Sequence, residues 1–151
     1  MKKLVLGLVA VSCAFLVFVG VNNAGDKGDK SKFKCVCPVS GKPAKKDHAV
    51  KYLGGEVYFC CPMCPGAFTK NTKKFAAKAN HQLYGNKQAA LKKCPFTGKA
   101  LNPATKITVN GTPVCFCCFN CQGKAKKAKN QVQAIFNTKC FKKGFVVKKT
   151  D

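Results

Sequence analysis

Arginine is absent from this chain, so all 28 of its basic residues are lysine. Bidentate recognition of guanine or phosphate favours the planar fork of arginine over the point charge of lysine. The sequence therefore argues against sequence-specific binding of nucleic acid, although the net charge is +23 at pH 7. Such a charge suits loose attraction to a polyanion or an anionic envelope surface, or it serves only as a solvated, self-repelling surface.

Carboxylates are also scarce, since the whole chain has five acidic residues. That number is too small to predict a paired general acid and base. Cysteine-based nucleophilic catalysis would need one thiol singled out by an orienting partner, and no cysteine stands out in this way. We therefore expect a protein that is not an enzyme.

Cysteine, in contrast, is abundant, and most of the 12 cysteines follow a duplicated pattern. One motif occurs as Phe59-Cys60-Cys61-Pro62-Met63-Cys64 and returns 57 residues later as Phe116-Cys117-Cys118-Phe119-Asn120-Cys121. The same displacement aligns Cys37-Pro38-Val39-Ser40-Gly41-Lys42 with Cys94-Pro95-Phe96-Thr97-Gly98-Lys99. Both copies therefore share a pattern of cysteine, 22 residues, cysteine, three residues and cysteine. Spacing conserved between two copies indicates one unit written twice.

The N-terminal sequence indicates export. A short basic start precedes an apolar stretch from Leu4 to Val21, which is typical of a secretory signal peptide cut after Ala24. An uncleaved membrane anchor is the alternative, because the stretch is nearly long enough to span a bilayer. We expect a periplasmic or secreted protein, or one held at the membrane by this segment.

The repeat then divides the chain into segments. We predict a signal peptide or anchor at 1–24, a linker at 25–34, a first repeat at 35–80, a linker at 81–93, a second repeat at 94–139 and a basic tail at 140–151. Repeats of this size seldom hold a sufficient apolar core, so metals or disulfides are expected to staple them.

Each repeat predicts an α+β unit in which a β-hairpin is followed by a helix. Strands are expected at 49–53 and 56–60 around Gly54-Gly55, and at 106–109 and 113–117 around Asn110-Gly111. Helices are expected at 67–70 and 72–79, with Asn71 as a cap, and as one continuous segment at 122–136. A further strand is expected within 141–147.

The repeated cysteines form two candidate metal sites. Cys60 and Cys64 lie four residues apart and can share one face of a helical turn, while Cys37 can reach the same point from its loop. Three thiolates suit zinc, copper(I) or a toxic heavy metal, with about one ion in each repeat. The predicted ligands are Cys37, Cys60 and Cys64 in the first repeat, and Cys94, Cys117 and Cys121 in the second.

This arrangement resembles the TRASH and YHS group of heavy-metal-associated domains. The resemblance rests on the cysteine spacing, on the Cys37 motif, on the approach Phe59-Cys60-Cys61, and on Asn71 followed by Phe75. It implies a treble-clef, zinc-ribbon-like hairpin packed on a helix, and a role in sensing, trafficking or resisting metals rather than in catalysis.

The chain departs from a four-cysteine finger, because Ser40 and Thr97 stand where a further cysteine would be expected. Either the fourth position is open, which suits capture and transfer, or another cysteine fills it. Because adjacent cysteines rarely aim at one point, we expect Cys61 and Cys118 to point away from the sites. The candidates for a fourth ligand are Cys61, Cys118, Cys35, Cys115 and Cys140.

The histidines are not repeated, since His48 aligns with Thr105 and His81 with Thr138, so we expect both at the surface.

Other interpretations of the cysteines remain. Export favours a disulfide scaffold, but removal of Cys13 with the signal leaves an odd number of cysteines, so at least one stays unpaired in a monomer. Zinc or disulfides could also hold a basic platform for an acidic partner. A more distant alternative is a thiol-disulfide oxidoreductase, because Cys61 and Cys64, like Cys118 and Cys121, have the Cys-x-x-Cys spacing.

Overall fold

The computed structural model describes residues 35–148 of the 151-residue chain. The expected signal or anchor and the linker at 25–34 therefore lie outside the described residues. Within residues 35–148, no helix combines the length and apolar character that a membrane crossing requires. All of these residues belong to one compact unit, and its mixture of helices and small hairpins confirms the α+β class.

A glycine turn carries the first cysteine of each repeat. Gly41 and Gly98 both have a φ of 78°, the left-handed conformation that glycine adopts without steric cost. The backbone N–H of Cys37 donates to the Lys42 carbonyl at 2.8 Å, and that of Gly41 donates to the Cys37 carbonyl at 2.9 Å. The same two bonds recur in the second repeat. The glycine of the Cys-Pro motif is therefore what closes the turn.

A hairpin follows each turn, as the sequence predicted. The first joins β1 (Lys45–Tyr52) to β2 (Gly55–Phe59). Its turn lies at Leu53 and Gly54, with φ of 53° and 87°, so the prediction of a turn at Gly54-Gly55 was one residue too late. Gly55 instead begins β2 and is buried.

The second repeat forms the equivalent hairpin with the turn that the sequence predicted. In chain order its strands follow a short strand β3 (Ala89–Leu91), so they are β4 (Asn102–Val109) and β5 (Thr112–Phe116). Asn110 and Gly111 have φ of 43° and 80°. Two consecutive positive φ angles are the signature of the type I′ hairpin turn, whose twist matches that of its strands.

Helices then follow each hairpin, with one correction to the sequence analysis. They are α1 (Met63–Lys70), α2 (Thr72–Gly85), α3 (Phe119–Lys127), α4 (Gln131–Phe136) and α5 (Thr138–Gly144). The continuous helix predicted at 122–136 is wrong, because the Asn130 side chain accepts a hydrogen bond from the Gln133 N–H at 3.0 Å and starts a new helix. Asn71 occupies the N-cap position of α2, but its side chain makes no capping bond.

Segments on either side of the second repeat pair with each other. β3 (Ala89–Leu91) lies in the predicted linker, and β6 (Phe145–Val147) lies in the predicted tail. The two strands are antiparallel and form the third two-stranded sheet of the described residues. The strand predicted within 141–147 is thus confirmed only for its last three residues, since α5 occupies the rest.

Helix α2 joins the two repeats. The buried Asn80 side chain donates to the Phe136 carbonyl at 2.8 Å, and the Tyr84 hydroxyl donates to the Pro113 carbonyl. His81 packs edge-on against Phe136, with ring centroids 4.9 Å apart. These contacts come from one helix face and reach both the hairpin and the helices of the second repeat.

We expect close packing of α5 to make Gly144 intolerant of a side chain. A methyl group there would lie 2.7 Å from the Lys93 carbonyl oxygen and 2.9 Å from the Pro95 Cα, both backbone atoms that cannot move cheaply. Gly144→Ala should therefore lower the free energy of unfolding by roughly 1–3 kcal/mol. The matched control is Gly123→Ala in α3, which meets nothing within 4 Å and should gain about 1 kcal/mol of helix propensity. Chemical denaturation of both variants measures this, and equal effects would contradict it.

We also expect His81 to make the stability of the fold depend on pH. Its Nε2–H donates to Thr112 Oγ1 at 3.0 Å and to the Val109 carbonyl at 3.3 Å. Burial lowers the pKa of His81 below its usual 6.5, and the bond to Val109 offsets only part of that effect. Folding therefore favours the neutral ring. The contribution of His81 to the stability of the fold is complete above pH 6.5, the usual pKa, and is lost as the pH falls through the lower pKa of the folded state. The wild type should lose more thermal stability between about pH 8 and pH 5 than His81→Gln does, and parallel melting profiles would refute this.

Candidate metal centres

Three structural elements bring three sulfur atoms together in the first repeat. Cys37 lies in the glycine turn, Cys60 directly follows β2, and Cys64 lies in the first turn of α1. Their Sγ atoms are all within 4.8 Å of one another, and those of Cys60 and Cys64 are 3.7 Å apart. We call this set the first triad. The convergence expected from the spacing is therefore present in the fold.

The second repeat builds the same arrangement. Cys94, Cys117 and Cys121 also have their Sγ atoms within 4.8 Å of one another, and the distance from Cys117 to Cys121 is again 3.7 Å. We call this set the second triad. Within residues 35–148, these two triads are the groups of histidine, cysteine or acidic side chains that could hold a metal ion.

The cysteine of each glycine turn is prepared to lose its proton. Burial raises the pKa of Cys37, but hydrogen bonds from the Ser40 side chain and from backbone N–H groups, including those of Ser40 and Cys60, outweigh it and bring the pKa to about 7. Thr97 and Cys117 do the same for Cys94, whose pKa is also about 7. Both sulfurs are therefore shifted towards the thiolate, which is the form that binds metals.

The helical cysteine of each triad behaves in the opposite way. Burial, together with the neighbouring sulfurs, raises the pKa of Cys64 far above its usual range and that of Cys121 to about 12. Adjacent thiolates repel one another in a site that is partly shielded from water. A third negative charge therefore becomes favourable only when a cation neutralises the cluster, so binding of a metal would release protons.

Ser40 and Thr97, which stand where a four-cysteine finger would have a further cysteine, each contact a sulfur of a triad. Ser40 Oγ lies 3.1 Å from the Sγ of Cys60, and Thr97 Oγ1 lies 3.2 Å from the Sγ of Cys117. Each hydroxyl also accepts a hydrogen bond from a backbone N–H, that of Lys42 or Lys99. Ser40 and Thr97 therefore contact one sulfur of each triad, which the sequence analysis missed although their equivalent positions in the repeat could have indicated it.

The two adjacent cysteines do not point away, which corrects the sequence analysis. Cys61 Sγ lies 3.3 Å from that of Cys64, and Cys118 Sγ lies 3.7 Å from that of Cys117. Each therefore contacts one triad without being a member of it. The two adjacent cysteines of each repeat lie where the chain passes from a strand into a helix. The change of backbone direction there lets both sulfurs face the same cluster.

The other candidate fourth ligands lie outside both triads. Cys35 is buried, which raises its pKa to about 11. Cys115 lies on β5 between Val114 and Phe116, whose side chains face the core, so its own points to the opposite side. The sulfur of Cys140 accepts a hydrogen bond from the Asn137 side chain at 3.4 Å. None of the eleven cysteines in residues 35–148 forms a disulfide.

Neither histidine belongs to a triad. His48 lies on β1, where it is partly exposed. His81 was expected at the surface, but it is partly buried and bonded to the second hairpin. Both candidate sites therefore consist of sulfur alone.

A scan against protein-family models and searches of curated proteins and solved structures found no match to this chain. What the protein does must therefore follow from its own residues. The two triads, with their oriented thiols and their positions at the ends of two hairpins, are the features that carry chemistry.

Proposed function

We propose that this is an exported metal-binding protein that holds one soft or borderline ion in each repeat, for sequestration or handover. The observation that carries this proposal is the pair of triads, each with three Sγ atoms within 4.8 Å of one another. Thiolate sulfur selects zinc, copper(I) and other soft ions over magnesium or calcium. Zinc, copper(I) and a toxic heavy metal are all compatible with this ligand set.

The exposure of the triads favours handover over permanent storage. Cys37 and Cys94 are fully buried, whereas Cys60 and Cys117 are partly exposed. A bound ion would therefore be enclosed on the side of the glycine turn and accessible on the side of the strand end. Structural zinc sites are usually closed by four ligands, while sites with three protein ligands keep one position open for exchange.

Two sequence features refine the proposal. The order of turn, hairpin and helix, with cysteines at each junction, is what membership in the TRASH and YHS group of treble-clef domains would require. The apolar N-terminal segment supports a location in the periplasm, outside the cell, or at the membrane. In each of these compartments thiols meet oxidants, so a bound ion would also protect the cysteines.

We expect the reduced, metal-free protein to bind about two equivalents of zinc or copper(I), one at each triad. Cys60→Ser should lose the first equivalent and Cys117→Ser the second, because each removes one of three ligands from one site. Titration with a competing chromophoric chelator, with elemental analysis of the purified complexes, measures both stoichiometry and affinity.

Cys115→Ser is the matched control for this titration, because Cys115 lies outside both triads and the variant should still bind two equivalents. A wild-type protein that binds no ion would refute the proposal. Binding that survives the loss of both Cys60 and Cys117 would refute the assignment of the ligands.

We further expect that a fourth cysteine will convert an exchange site into a closed one. Ser40→Cys places a sulfur where the hydroxyl now lies 3.1 Å from Cys60 Sγ, and Thr97→Cys does the same beside Cys117. Zinc should then leave the altered site at least about tenfold more slowly, because four thiolates fill the tetrahedral shell. Stopped-flow transfer to a chelator measures the rate, and Ser40→Ala is the control that removes the hydroxyl without adding a ligand. An unchanged rate would show that the fourth position is already filled.

A second candidate function is a structural one. The burial of the glycine-turn cysteine of each triad favours it. Cys37 and Cys94 belong to the same apolar cluster as Phe59 and Phe116, so metal there could serve mainly to hold a basic platform for an acidic partner. Circular dichroism of the metal-free protein separates the two functions. A fold that persists without metal supports handover, whereas unfolding, together with salt-sensitive binding of a polyanion whichever metal is loaded, supports the platform.

A further inference from the structure

The first repeat holds a close pair of sulfurs, of which one belongs to the first triad and the other does not. Cys61 Sγ lies 3.3 Å from Cys64 Sγ, which is shorter than the 3.7 Å that separates Cys64 from its fellow triad member Cys60. Formation of a disulfide needs two sulfurs to approach to about 2 Å. Cys61 and Cys64 are therefore the pair in this repeat that lies nearest to a covalent bond.

Proline explains why these two sulfurs are so close. In an α-helical turn the carbonyl of Cys61 would accept the N–H of residue 65, but residue 65 is proline and has none. The N–H of Cys64 donates to that carbonyl instead, at 3.2 Å. This i to i+3 bond is the 3₁₀ pattern, in which side chains three residues apart eclipse each other.

The second repeat lacks this device. Gln122 stands at the position of Pro65, and its N–H donates to the Cys118 carbonyl at 3.1 Å, which is the α-helical pattern. The sulfur of Cys118 lies 3.7 Å from that of the adjacent Cys117 and also interacts with that of Cys121. Neighbouring residues have Cα atoms about 3.8 Å apart, closer than the range of unstrained disulfides. A disulfide in the second repeat would therefore join Cys118 to Cys121, whose helix start keeps the α-helical bond, so we expect this pair to oxidise less readily than Cys61 and Cys64.

We propose that Cys61 and Cys64 undergo reversible thiol-disulfide exchange, which withdraws Cys64 from the first triad and releases the ion held there. The release step rests on the metal-binding function proposed above. The second triad keeps its ion under the same conditions. The two repeats therefore differ in their response to oxidants: an oxidant empties the first, whereas a competing ligand can empty both.

The electrons of this reaction balance when a small disulfide is the oxidant. The partly exposed Cys61 attacks one sulfur of a small disulfide, breaks its S–S bond and releases one thiolate. The buried Cys64 then attacks the Cys61 sulfur, forms the protein disulfide and releases the second thiolate. The small disulfide gains two electrons and the cysteine pair loses two. Two ligands remain in the first triad, too few to retain a soft ion against solvent.

The first part of the test uses the full-length, reduced, metal-free protein. Oxidised glutathione is added in a glutathione redox buffer, free thiols are alkylated, and disulfides are mapped by mass spectrometry. We expect the Cys61–Cys64 disulfide to form at least about tenfold faster than any disulfide of the second repeat. Pro65→Gln, which restores the α-helical bond, should remove most of this advantage. Gln122→Pro should increase oxidation of Cys118 and Cys121.

The second part uses the zinc-loaded protein. Oxidised glutathione should release one of two equivalents from the wild type and from Cys118→Ser, but none from Pro65→Gln over the same period. Three results would overturn the inference: no Cys61–Cys64 disulfide, equal oxidation of both repeats, or zinc retained after that disulfide has formed. A protein that binds no zinc would instead refute the metal-binding function and the release step, while the metal-free measurement would still decide the exchange.

Discussion

Three thiols held at one point are the constraint on which the rest of each repeat depends. A turn, a strand end and a helix start must meet with their Sγ atoms within 4.8 Å. The arrangement is unfavourable for three thiolates and becomes favourable when protons or a cation neutralise them. The backbone N–H groups and the hydroxyls of Ser40 and Thr97 stabilise the first negative charge, so each triad is partly prepared before an ion arrives.

The packing around the triads shows that the repeat conserves volume rather than individual residues. In the first repeat, Phe68 from α1 packs on Phe59 with ring centroids 5.3 Å apart. In the second, alanine stands at the position of Phe68, and the ring on Phe116 comes from Phe96 of the glycine turn, at 5.5 Å. A large side chain has moved from helix to turn while the cysteines kept their places. Cores tolerate such exchanges when the total volume of the side chains is kept. The cysteines of a triad have less freedom, because their three sulfurs must stay close together.

The two repeats differ at the start of the helix that carries the third cysteine of each triad. The triads are equivalent, but Pro65 and Gln122 give the two helix starts different hydrogen bonding. The fourth sulfur lies 3.3 Å from that of Cys64 in the first repeat and 3.7 Å from that of Cys117 in the second. Helix α2 then ties both repeats into one compact unit through Asn80, His81 and Tyr84. The redox exchange proposed above would let the two sites respond to different conditions, which suits regulated handover better than two identical sites would.

The sequence by itself determined the repeat, both hairpins, the α+β class and the six cysteines that converge, because spacing and turn-forming residues act over short distances. It also marked Asn110-Gly111 as a turn, whereas Leu53 took a positive φ that its own propensity does not suggest. Only the tertiary structure decided that Cys61 and Cys118 face the triads, that β3 pairs with β6, and that His81 is partly buried. Those outcomes depend on which distant segments pack together, and no local pattern of residues encodes such contacts.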